Sequence, residues 1–366
     1  MAKLFEPTKL NNIELKNRFV RSAAWLGLAD RDGYPTEGLT RALVEAACGG
    51  VGLIVSGHVY VSPEGRAGRR QLGICSDDHI GPLREVAKAV RDAGGKIVAQ
   101  ISHAGCEAVA QPAGSTRLGP SAVERNGRPR CVEMMRDDLV RLTQDFAGAA
   151  FRAKEAGFDG VQLHAAHGYL LSQFLSPYRN KRQDGYGGSI ENRARMLLET
   201  FEAVRAAVGA GFGIMVKINS EDFREDGLTV GEMLAVSAML EERGVDAIEM
   251  SGGRVFSRGF SPHTTGKTDD EAYYLEAARA YKEKVRTPLM LVGGIRSYEV
   301  ADRIVSEGTA DYIALCRPLI AEPDLINRWE SGDRRPSVCE SDNLCFKGGI
   351  EGTGVRCALR GKQGGA

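Results

Sequence analysis

Residues 159–193 carry the densest set of reactive side chains in this sequence. A short apolar run at 160–163 reads as a buried strand; it ends in His164, with His167 and Tyr169 close behind. Three polar rings thus crowd the carboxyl end of one strand, where α/β proteins place their chemistry. The chain has only six histidines, so two this close together argue for a site. The His-x-x-His pair has two other readings. A metal centre would need a third histidine or a carboxylate at ligand spacing, and none follows. Satisfied core histidines are the other.

Such rings need a scaffold, and the hydrophobic pattern supplies one. Short β-branched runs fall at 19–23, 53–59, 96–101, 160–163, 213–218, 247–250, 289–292 and 312–315. Segments of helical periodicity lie between them, among them 83–93, 139–156, 194–208, 230–243, 274–285 and 297–306. Several end in glycine just before the next strand: Gly94, Gly157, Gly209, Gly244 and Gly308. Successive βα units predict an α/β fold closed into a (β/α)8 TIM barrel rather than an open sheet. Residues 4–15, with Asn11-Asn12 as the turn, predict an N-terminal hairpin capping the barrel's bottom. A barrel needs about 250 residues. The surplus falls at 102–136, at 168–189 and in a C-terminal tail, so a barrel over 1–330 and a tail over 331–366 are expected. The first two surplus stretches follow the third and fourth strands and are expected to stand over the mouth as lids.

Composition narrows the class. With 366 residues, 48 basic and 48 acidic, the net charge is zero, and no basic tract suggests nucleic acid or an anionic membrane surface. No segment is long and apolar enough to span a bilayer, and residues 1–7 lack a signal region. Eight cysteines are too sparse for a disulfide scaffold and are expected to be reduced thiols. A cytoplasmic homo-oligomer is the expectation.

Two strand ends suit a phosphate. Gly293-Gly294 follow the seventh strand and Cys316-Arg317 the eighth, where barrels often bind phosphate through backbone N–H groups. The glycines let backbone approach the anion, and Arg317 can add a charged contact. One phosphate site, with no G-x-G-x-x-G fingerprint after a strand, points to a mononucleotide. Two polar residues interrupt apolar strands. Gln100 is costly there unless its amide is paired. Lys217 needs an anion, either a cofactor's or that of Glu221, Asp222 or Glu249.

From Leu4 to Pro318 the chain resembles the Old Yellow Enzyme-like NADH:flavin oxidoreductases, in the motifs at 15–25, 98–105 and 159–193. The resemblance implies FMN, with Ser22, Ala23, Ala24 and Trp25 lining the flavin and Gly57 letting the ring lie flat. It implies that Gln100 bonds the pyrimidine edge and that Lys217 stabilises negative charge on the reduced flavin. His164 and His167 would hold a substrate carbonyl, and Tyr169 would supply a proton. NADH or NADPH would be the reductant and an activated alkene the substrate.

Two departures stand out. Many members of that family have cysteine where this chain has Trp25, so Trp25 is expected to narrow the pocket. The tail resembles the C-x2-C-x2-C segment of the iron–sulfur branch, which includes dienoyl-CoA reductase and trimethylamine dehydrogenase. Cys339, Cys345 and Cys357 match that segment, but Asp342 takes the second cysteine position, and carboxylate is a poor iron–sulfur ligand. A cluster is therefore not expected. The leading reading is an FMN-dependent ene-reductase. Its alternatives are an iron–sulfur flavoenzyme of the dienoyl-CoA reductase or demethylase type, a barrel lyase using Lys217 as a Schiff base, and a flavin-binding barrel without turnover.

Overall fold

Eight parallel strands close on themselves in the computed structural model, which describes residues 2–108, 116–125, 128–253 and 271–359. They are Phe19–Arg21, Leu53–Val55, Ile97–Ser102, Gly160–Ala165, Gly213–Asn219, Ala247–Ser251, Leu289–Leu291 and Tyr312–Leu315. Each pairs with the next, and the eighth returns to the first with Ile313 opposite Phe19. Helices Glu37–Cys48, Ile80–Asp92, Arg136–Glu155, Ile190–Val208, Val230–Glu242, Leu275–Lys284 and Tyr298–Ser306 alternate with the strands. This is the (β/α)8 barrel expected from the pattern.

Strand alternation sorts side chains between two cores. One set, with Phe19, Ile54, Ile97, Leu163 and Val216, packs outward among the helices. Another fills the lower barrel: Val20, Leu53, Val55, Val98, Met215, Ala247, Met290, Tyr312 and Ala314. Leu10, Ile13 and Leu15 of the hairpin Thr8–Leu10/Ile13–Leu15 join that inner set and plug the barrel from below. The interior changes character higher up. Ser22, Gln100, Gln162, Lys217 and Glu249 are all buried there.

The closed end is pinned by one device used three times. Asp159, Asp246 and Asp311 each stand just before a strand and accept a backbone N–H from the first or second residue of the preceding one. The distances are 2.8 Å from Ile97, 2.7 Å from Ile214 and 2.8 Å from Leu289. A charged acceptor on an otherwise unpaired strand N–H is a strong hydrogen bond. At the same end, where the helices stop before these strands, Gly94, Gly157, Gly209, Gly244 and Gly308 all have φ between 74° and 80°, a region glycine adopts without strain.

Two expectations need correction. The run at 53–59 is not one strand: it stops at Val55 and resumes as Val59–Tyr60, paired with Ile101–Ser102. A Cβ on Gly57 would lie 2.5 Å from the Ala24 carbonyl oxygen, so the first strand's loop presses on the chain at this bend. The cysteines are not all thiols either, because Cys106 and Cys131 form a disulfide across 25 residues. It joins the turn after the third strand to the strand Arg128–Glu133 of the loop above the mouth. Glu107 strengthens that junction, taking Arg130 at 2.5 Å and Arg179 of the next loop at 2.6 Å. The other six cysteines are unpaired.

The tail folds back over the barrel. The Val355 N–H bonds the Leu26 carbonyl at 2.8 Å, and the Ser337 N–H bonds that of Arg296 at 2.8 Å. Residues 360–366 lie outside the described part.

Candidate active site

The fourth strand delivers His164 into the mouth beside Lys217 of the fifth, its register partner. The His164 ring is 5.1 Å from His167 and 5.0 Å from Tyr169, edge-on to both. His167 sits at φ 63°, a left-handed conformation uncommon outside glycine. Its backbone N–H is held by Asn219 Oδ1 at 3.0 Å, and its Nε2 meets Ser251 Oγ at 2.8 Å. Neighbouring strands thus fix a strained residue in place, as functional sites often do. Tyr169 begins the short helix Leu170–Leu175 and packs on Ala67, Ala104 and Ala108.

Burial sets the charge state of these rings. It drives the His164 and His167 pKa values well below the ordinary range, helped by each other's proximity or by Lys217 and His58. Both imidazoles are therefore neutral at physiological pH. His164 Nδ1 is buried with no partner. Burial, with Glu107 adding to it, raises the Tyr169 phenol far above its usual value, so it keeps its proton. Neutral N–H groups and a protonated phenol suit an oxygen acquiring charge and a carbon needing a proton.

Beneath the rings runs a buried hydrogen-bonded chain. Gln100 Nε2 donates to Gln162 Oε1 at 2.7 Å, and Gln162 Nε2 donates to Glu249 Oε2 at 2.8 Å. Glu249 Oε1 accepts from Ser22 Oγ at 2.5 Å and from Lys217 Nζ at 2.8 Å. Of the three carboxylates weighed as partners for Lys217, Glu249 is the one that binds it. Gln100 Oε1 has no partner among the described residues.

At the seventh strand's end Gly293 and Gly294 have φ 130° and 71°. The rings of Tyr274 and Tyr273 lie against them, and a Cβ on Gly294 would meet Tyr273 at 2.3 Å. Arg317 faces the same region, with Tyr273 Oη at 3.2 Å, while its other amino group holds Ser341 O at 3.1 Å and Asn343 Oδ1 at 3.0 Å in the tail. Burial raises the Cys316 thiol above its usual pKa. Arg21 is buried with one hydrogen bond, to Val55 O at 3.4 Å, and no carboxylate reaches it among the described residues. Trp25 packs its indole on Gly27 and on Gly349 of the tail; together with Ala24, Gly57 and His58 it also lines a small cavity of about 20 Å³. The structure brings the rings of His164, His167 and Tyr169 together and sets Ser22, Gln100 and Lys217 in one network below them. Cys339, Asp342, Cys345 and Cys357 do not form a metal-binding group: among the described residues no three His, Cys, Asp or Glu side chains are placed to hold an ion.

Sequence reasoning missed His58, Gln71, Gln162 and Arg21. One signal was present. His58 lies near the end of the β-branched run at 53–59, as His164 does at the end of the run at 160–163.

The barrel thus carries a pair of left-handed glycines at its seventh strand, a buried polar layer beneath the mouth and uncharged histidines above it. The chain belongs to the NADH:flavin oxidoreductase / NADH oxidase family, whose model matches residues 3–335. It is 34% identical over 372 residues to "NADH oxidase" of Thermoanaerobacter brockii, covering 99% of this chain and 56% of that protein. It is 35% identical to "NADPH dehydrogenase" of Geobacillus sp. (strain WCH70), covering 87% of this chain and 91% of the relative. A solved 2-naphthoyl-CoA reductase in complex with 2-naphthoyl-CoA superposes with a TM-score of 0.90 at 29% identity, over 97% of this chain and 56% of that one. The chain spans about half the length of the first curated relatives it matches, 56% and 49%. No helix among the described residues is long and apolar enough to cross a membrane.

The cofactor of this family is FMN, and the residues fit it. The buried, partnerless His164 Nδ1 and the buried cation Arg21, which no carboxylate reaches among the described residues, suit a polar, anionic ligand, and the two left-handed glycines present backbone beside them.

Proposed function

We propose that the protein reduces carbon–carbon double bonds conjugated to a carbonyl, drawing on NADH or NADPH. The observation that carries this reading is the edge-on contact of His164 with both His167 and Tyr169, all uncharged and at the mouth. FMN, when bound, supplies the hydride that reaches the β-carbon of the alkene. His164 donates an N–H to the carbonyl oxygen, whose charge rises as the hydride arrives. His167 does the same from Nδ1, its Nε2 being engaged by Ser251. Tyr169 then gives its proton to the α-carbon, and the raised phenol pKa keeps that proton in place until it is needed. Gln100, Ser22, Ala23, Ala24, Trp25, Gly57 and Lys217 would hold the ring system, and Gly293, Gly294, Cys316 and Arg317 the phosphate.

The nicotinamide relatives and the conjugated thioester bound to the reductase of similar structure support the reading. The lyase alternative loses ground because Lys217 Nζ is engaged by Glu249 and Ser22. The same reading includes a homo-oligomer in the cytoplasm. Exposed Val140 and Phe151 on one helix offer contact surface. The test is a rapid-mixing assay: holoenzyme reduced by NADH or NADPH is mixed anaerobically with cyclohexenone, and the flavin absorbance is followed. Reoxidation with formation of cyclohexanone supports the reading; a flavin that stays reduced overturns it.

A further inference from the structure

Beside the family's histidine pair the mouth holds a third imidazole, His58, which the mechanism above leaves unused. It stands at the bend after the second strand, 5.4 Å from the Tyr169 ring and 6.3 Å from the His164 ring. Its setting fixes which nitrogen carries the proton. The Ala67 backbone N–H donates to Gln71 Oε1 at 2.7 Å, and a backbone N–H can only donate, so the orientation of the Gln71 amide is settled. Gln71 Nε2 must then face His58, where it reaches Nδ1 at 2.7 Å and the His58 carbonyl at 3.2 Å. Nδ1 therefore accepts, and Nε2 carries the hydrogen. Gln71 is buried, so this arrangement does not compete with water. Burial also holds the His58 pKa at about 4, so the ring is neutral at physiological pH. Nε2 makes no hydrogen bond among the described residues, and His58 is half-buried on the wall of the cavity it shares with Ala24, Trp25 and Gly57.

We propose that His58, locked by Gln71 as the Nε2–H tautomer, is a further hydrogen-bond donor to the substrate, gripping an oxygen beside His164 and Tyr169. The ligand class this favours is one with an oxygen bearing developing or full negative charge, such as an enolate or a phenolate. The inference rests on the proposed function for its substrate but not for its test.

The probe is 4-chlorophenol, titrated into FMN holoenzyme at about pH 8.5, far above the ordinary histidine range. Binding is followed by flavin absorbance and by calorimetry. His58→Ala removes the donor and should weaken binding about tenfold, the usual effect of losing a hydrogen bond to a charged acceptor. Gln71→Glu is the sharper variant because it leaves the imidazole in place. A carboxylate accepts only, so it pulls the hydrogen to Nδ1 and turns a lone pair toward the ligand. Binding should fall at least as far as in His58→Ala. The near-isosteric change also serves if His58→Ala loses FMN. Unchanged or tighter phenol binding in Gln71→Glu overturns the proposal. No turnover is needed, so a protein that binds phenol through His58 yet leaves cyclohexenone untouched would remove the proposed reaction and keep this inference.

Discussion

Lys217 Nζ lies 2.8 Å from Glu249 Oε1, on adjacent strands, with both side chains shut away from solvent. Breaking a buried pair by removing one partner typically costs about 3–5 kcal/mol. Glu249→Gln should lower the unfolding free energy by that order and leave Lys217 with uncompensated positive charge. The flavin's reduction potential should then rise, since the reduced, more negative form gains most. Spectroelectrochemical titration of variant and parent checks it; an unmoved potential would place Lys217 too far from the ring to act on it.

Tyr169→Phe should leave reduction by NADH or NADPH nearly intact and slow reoxidation by cyclohexenone by about 10²–10⁴-fold, the typical contribution of a general acid. The hydroxyl makes no hydrogen bond among the described residues, so its loss should leave the melting temperature almost unchanged. Equal reoxidation rates would point to another proton source.

Acid should destabilise the protein in a defined window. His58 and His103 titrate at about 4 in the fold against 6.5 ordinarily, both lowered by burial. Below 6.5 the unfolded chain takes up protons that the folded one refuses, so stability is complete above that pH and declines as pH falls toward 4. His164 and His167 are lowered in the same direction by burial and add to the decline. Thermal midpoints measured across this range should show it, and His103→Gln should make the slope shallower. A flat profile would contradict the burial of these rings.

Trp25 is where pocket and tail meet. Its indole rests on Gly349, whose Cβ, if present, would be 3.0 Å from Cζ3. Trp25→Ala should cost about 3–5 kcal/mol and expose the tail to limited proteolysis. Trp25→Cys should also admit bulkier enones, read as the ratio of rates on bulky and small substrates. If that ratio stays fixed while stability drops, the indole only fills space.

The tail gives a metal test. Anaerobic reconstitution with iron and sulfide should load less than one cluster per chain, because Asp342 replaces a thiolate and burial holds Cys345 protonated, with its pKa pushed up to about 12. Stoichiometric iron and sulfide would overturn this.

The barrel was legible because each strand–helix unit repeats a local pattern, and the mouth because His164, His167 and Tyr169 lie within one short stretch. What stayed hidden is held together across the barrel. Gln162 looks like any polar residue in a strand until Gln100, 62 positions earlier, and Glu249, 87 later, close around it. His58 was masked by a β-branched run that reads as continuous and is in fact bent at Gly57. The Cys106–Cys131 bond joins segments that meet only once the lid has folded, and cysteine counts carry no such information.

The repeated aspartate device at the barrel's floor bears on how such an enzyme can change. Asp159, Asp246 and Asp311 tie strands together at the end away from His58, His164 and Tyr169, through main-chain atoms whose geometry is indifferent to the side chains above. Loops at the mouth can therefore be exchanged, lengthened or rewired for a new substrate while the floor keeps the strands in register. Anchorage and chemistry are separable parts of this chain, and the mouth is the part free to drift.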